Sequence, residues 1–156
     1  MSILQSIIFA AGGTCGYAVL FNIPKRLLPF VALTSAFGWA MFILIPSNSS
    51  AVTCFAGAMA VALMGEILSR ILKDAATLFI IPGILPMVPG AKMYYMTRAL
   101  LAQDYSDAAV WAMEVIFSAG GIAIGILLIY SFTKVLLHYK KERQKKKITD
   151  EEEIIS

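Results

Sequence analysis

Five apolar stretches constrain this 156-residue chain more than any motif does. Residues 3–21 and 27–45 carry no charge, 51–68 and 108–133 carry one glutamate each, and 75–101 is apolar but crowded with prolines and glycines. A membrane-spanning helix needs about 20 predominantly apolar residues, and a water-soluble core does not require such runs five times over. Charged residues make up 15% of the chain, against roughly a quarter in an ordinary soluble domain. The expected fold class is all-α and integral to the membrane, with about five transmembrane helices. One transmembrane domain would cover residues 1–138, and a charged cytoplasmic tail residues 139–156. The first stretch lacks the basic start of a signal peptide and is longer than the usual apolar region of about 7–15 residues, so it reads as a retained helix.

The placement of cations orients these spans, because short cytoplasmic connections are enriched in Lys and Arg. Lys25 and Arg26 follow the first stretch, Arg70 and Lys73 the third, and a polybasic segment the fifth. The other two connections, 46–50 and 103–107, hold no cation. With five spans, every basic connection falls on one side, which places the N-terminus outside and the C-terminus in the cytoplasm. Seven of the thirteen basic residues lie from Lys134 onward, so the net charge of +3 belongs mostly to the tail. No nucleic-acid footprint results. The tail reads either as a solvated stop-transfer segment or as a surface for anionic lipid. His138, the only histidine, reads as interfacial.

The fourth stretch departs from the others. Pro82, Pro86 and Pro89, with Gly83 and Gly90, fall within nine residues at membrane depth. Each interior proline removes a helical hydrogen bond and clashes with the preceding turn, at about 3 kcal/mol or more. One uninterrupted helix is therefore not expected. Two arrangements remain open: a proline kink satisfied by neighbouring helices, or a discontinuity of the kind that builds solute sites in transporters. Under the second, residues 82–90 form the break, and Lys92 and Tyr95 begin a second half-helix whose N-terminal end favours anions. Lys92 would then bind a carboxylate, whereas Lys92 and Arg98 would otherwise snorkel towards the surface.

Two further carboxylates sit inside apolar stretches. Glu66 has Arg70 at i+4 in the favourable Glu-first order, which suits a structural ion pair. Glu114 has no cation at i±4, although Lys92 or Arg98 could approach it in space. Both are candidates for ion coupling, because a carboxylate placed in a membrane usually faces a cavity or a partner. Cys15 and Cys54 lie among small apolar residues and show neither metal spacing nor a disulfide framework. Gly121 and Gly125 form a GxxxG pair suited to packing within the chain. No nucleophile–base, Walker or dinucleotide motif occurs. Catalytic residues, cofactors and a metal site are therefore not expected, and the chain reads as a non-enzyme.

The segments Val19-Leu-Phe-Asn-Ile-Pro-Lys-Arg26 and Ile81-Pro-Gly-Ile-Leu-Pro-Met-Val-Pro-Gly90 resemble the threonine/serine exporter family, in particular the small subunit of its split form. The resemblance implies secondary-active export of threonine and serine, or of C4-dicarboxylates such as succinate, together with a larger homologous membrane subunit. It also implies a multi-pass protein of the cell membrane, the bacterial inner membrane. Lys92 stands where the family pattern is small or polar, and a fixed cation there favours a dianion over a zwitterion. The rival expectation is an accessory or scaffold membrane subunit that does not itself transport.

Overall fold

The computed structural model describes the backbone from Ile3 to Ile155, apart from Pro46 and Asn48, and side chains as far as Leu136. His138 and the charged residues of the tail lie outside the described side chains. Six helices follow in order: α1 (Ile3–Leu20), α2 (Leu28–Leu44), α3 (Ser50–Leu72), α4 (Thr77–Gly83), α5 (Gly90–Leu101) and α6 (Tyr105–Ile155). Short 3-10 turns occupy Lys25–Leu27 and Leu85–Met87. No strand occurs among the described residues. Four helices are long and apolar enough to cross a membrane, and α4 and α5, bent by 49° at the break between them, bring the number to five if the pair crosses as one span. The chain is thus all-α, with four or five helices fit to span a membrane. α3 runs on through Leu72, so Arg70 is helical rather than part of a connection. α6 likewise continues past residue 133 as one helix.

Residues other than glycine take the left-handed conformation that ends several of these helices. At the end of α1, Asn22 adopts φ 54°, its N–H donates to Val19 O, and the Ile23 N–H donates to Ala18 O, both at 3.0 Å. This is a Schellman cap, and the apolar contact it favours is present, since Ala18 and Ile23 share a buried cluster. Pro24 follows, where it cannot continue the helix. The same geometry recurs after α5. Gln103 has φ 58°, and the Gln103 and Asp104 N–H groups donate to Leu100 O and Ala99 O at 3.0 Å. Asp104 then caps α6 by accepting from the Asp107 N–H at 3.1 Å. One residue thereby closes one helix and opens the next.

The helices pack laterally in the order α1, α2, α3, α6, α5, and α4 is wedged among α1, α2 and α3. α3 is central, with 44% of its apolar window buried within the chain against 17% for α1. Without a hydrophobic drive between helices in lipid, close approach depends on small residues. Gly121 of α6 abuts the Ala51 carbonyl, and a methyl group on Gly125 would come within 2.7 Å of the Phe55 carbonyl. The GxxxG pair therefore serves packing inside the chain. At one end of the bundle, here the basic end, the Arg26 guanidinium donates to both carboxylate oxygens of Asp74 at 2.9 and 3.0 Å. This pair ties the α1–α2 turn to the connection that leads into α4.

Candidate functional site

The broken span begins in the middle of the bundle. Pro82 and Gly83 close α4 and are buried. A methyl group on Gly83 would come within 2.9 Å of Val61 and 3.2 Å of Thr34. Val61 is the twelfth of the 23 residues of α3, so this contact lies at mid-depth. Met87, at the end of the next turn, fills the crossing between α2 and α3. Its sulfur would lie 2.7 Å from a methyl group on Gly57, and its terminal carbon 2.7 Å from one on Gly38. The backbone here is buried in protein, the condition under which irregular backbone is tolerated at membrane depth.

Pro86 lies in the 3-10 turn and is half-buried. Pro89 has φ −75° and ψ 50°, and the Gly90 N–H donates to the Val88 carbonyl at 2.7 Å across it. This is an inverse γ-turn, the tightest reversal available without positive φ. It sets the angle between the two half-helices. Gly90 then starts α5 and is exposed.

Lys92 occupies the third position of α5, where the helix dipole disfavours a cation unless an anion compensates. Glu114 of α6 supplies that anion. Lys92 Nζ donates to Glu114 Oε2 at 2.7 Å and to Ser118 Oγ at 3.0 Å. Glu114 and Ser118 are one helical turn apart on α6 and share a face. The Lys92 and Glu114 side chains are 23% and 44% exposed, so the pair is open on one side, whereas Ser118 is fully buried. Ser50, in the first turn of α3, also approaches the Glu114 carboxylate. Ser118 lies beside Cys54, whose thiol contacts the Met87 carbonyl at 3.9 Å. The ion pair is thereby joined to the break through buried polar groups.

Counting about 20 residues of α6 back from Lys134 reaches Glu114, which places the pair at the apolar boundary. Aromatic residues mark the same level, as expected of a membrane interface. The Tyr95 ring lies 5.0 Å from Trp111, and Arg98 stands 5.9 Å over Tyr95.

Among the candidates from sequence, Pro82, Gly83, Pro86, Pro89, Gly90 and Lys92 form one continuous strip from mid-depth to the boundary. Glu114 joins it through Lys92, and Tyr95 stands one turn further along α5. Glu66 does not join them. It faces Arg70 at 3.8 Å near the basic end, about 18 Å along α3 from Cys54 at 1.5 Å per residue. Ser118 had a readable signal, a hydroxyl four residues after Glu114. Gly38 and Met87 had none, since only the tertiary crossing gives them a role. Trp39 packs on the cluster that contains Met87, and its buried indole N–H has no partner among the described residues.

The family described as Threonine/Serine exporter, ThrE matches residues 6–132. The chain belongs to the threonine/serine exporter family. The match runs from α1 into α6 and includes the break and the Lys92–Glu114 pair. Membership agrees with a multi-pass membrane protein in an amino-acid exporter family, and it points away from an enzyme. No solved structure matches the chain.

Proposed function

We propose that this chain is one subunit of a secondary-active exporter of threonine and serine, working with a larger homologous subunit in the bacterial inner membrane. The basic end faces the cytoplasm and the Lys92 end faces outward, in keeping with the cation-rich connections. The observation that carries the substrate assignment is the Lys92–Glu114 pair, with its 2.7 Å contact and one open side. A lone Lys92 would favour a dianion. Paired with Glu114, the site has no net charge and carries one group for each end of a zwitterion. The substrate carboxylate replaces Glu114 on Lys92, and the substrate ammonium meets the freed Glu114. Every charge stays paired during the exchange. A dicarboxylate would leave Glu114 beside a second anion with no cation of its own, a like-charge contact that the zwitterion avoids.

Residues 82–90 provide the discontinuity along which the substrate passes, and Tyr95 borders it on α5. Glu114 is the coupling carboxylate, open to a proton once the substrate has departed and before it pairs with Lys92 again. Glu66, near the opposite end, is the second carboxylate on this route. The test compares export of threonine with export of succinate. Lys92→Met should abolish threonine export. Glu114→Gln should lower it at least about tenfold, the equivalent of one charged hydrogen bond, and relieve discrimination against succinate. Threonine export at the wild-type rate in both variants would overturn the assignment.

A further inference from the structure

We infer that Ser118 is a positioning residue for the transported amino acid: it holds the Lys92 ammonium in place while the Glu114 carboxylate is exchanged for the substrate's. The inference rests on the reading of Lys92 as the carboxylate-binding group. It comes from an asymmetry in how Lys92 is held. Of its two acceptors, Glu114 is charged and 44% exposed, whereas Ser118 is neutral and fully buried. A group that must be exchanged belongs on the accessible side. One that must stay belongs on the buried side.

The chemistry of the two acceptors divides the labour further. An ammonium has three donors and no acceptor capacity, so removing its only partner at a membrane boundary leaves a charge without solvation. With Ser118 in place, Lys92 keeps one hydrogen bond throughout the exchange, and the departing Glu114 does not let the side chain swing towards water. A hydroxyl suits this task better than a second carboxylate would. A carboxylate at residue 118 would make the site anionic and would compete with the substrate for the same cation. The hydroxyl fixes the position of the ammonium without neutralising it.

Ser118 also lies beside Cys54, which contacts the Met87 carbonyl at 3.9 Å. Met87 in turn fills the Gly38–Gly57 crossing. The anchor for Lys92 is therefore built against the close crossing of α2 and α3, and α5 is registered against the break through it.

The test measures threonine uptake into inside-out membrane vesicles from cells that produce the full-length exporter, separating KM from the maximal rate. Ser118→Ala should raise KM about tenfold while the maximal rate, corrected for protein in the membrane, stays within about twofold. Ser118→Thr and Ser118→Val provide a pair of the same shape that differs in the hydroxyl. Ser118→Thr should restore a KM near that of wild type, and Ser118→Val should match Ser118→Ala. A purely structural role would lower the maximal rate or the amount of protein in all three variants, and that result would overturn the inference. So would equal KM values for the threonine and valine variants. Lys92→Met, assayed in parallel, separates the two levels. If Lys92→Met is silent, the site assignment fails. If it blocks transport while Ser118→Ala leaves KM unchanged, only the role of Ser118 fails.

Discussion

Lys92 and Glu114 are 22 residues apart, and neither has an oppositely charged neighbour within one helical turn. The rules that pair charges along a helix reach three or four residues, so they identify Glu66 with Arg70 and are silent about Glu114. The pairing follows instead from the γ-turn at Pro89, which aims α5 along α6, and from the cap at Asp104, which fixes the register between them. Pairing reverses what the lysine alone implies: a site that favours dianions becomes one that is electrically balanced. Glycines show a related limit. Gly121 and Gly125 are legible as a packing motif, but nothing in the sequence says that their partner is the backbone of α3 at Ala51 and Phe55. Gly125→Leu tests the closeness of that contact. The added side chain should destabilise the chain by about 1–3 kcal/mol through overpacking, read as a fall in the thermal midpoint in detergent. Gly120, which has open space around it, should tolerate alanine with little change.

At the level of elements, the spans were legible because long uncharged runs have few other folds available to them. The break was legible because three prolines cannot sit in one regular helix. The ends were less so. Asn22, Lys73 and Gln103 all take positive φ where glycine would have been the expected signal. Lys73 stops α3 only after the helix has carried the Glu66–Arg70 pair, which is why the third span outruns its sequence estimate. The two halves of the broken span also keep different company. α4 is enclosed by α1, α2 and α3, whereas α5 rests on α6. Replacing Pro86 and Pro89 with alanine together should straighten the segment and raise thermal stability, while threonine export is lost. Export preserved in a stabilised variant would show that the discontinuity is not needed for passage.

For the whole molecule, an exporter needs a pathway enclosed on all sides, and these helices form an open row instead. The Lys92–Glu114 pair opens at its edge. Vesicles holding the chain alone should therefore show no threonine transport above background, and those that also hold the larger subunit proposed above should transport. Activity from the chain alone would mean that it builds a complete pathway without that partner.

The arrangement around α5 has one more consequence. Among its twelve residues only Ala99 is buried, and its tertiary support comes from α6. Its opening should thus be a local event, separable from unfolding of the rest. In hydrogen–deuterium exchange, amides of residues 90–101 should exchange well before those of residues 50–72. Lys92→Met should quicken exchange in the first segment and leave the second unchanged. Such a helix is a separate cooperative unit, with a stability that can be tuned by a few contacts at no expense to the membrane core that carries it.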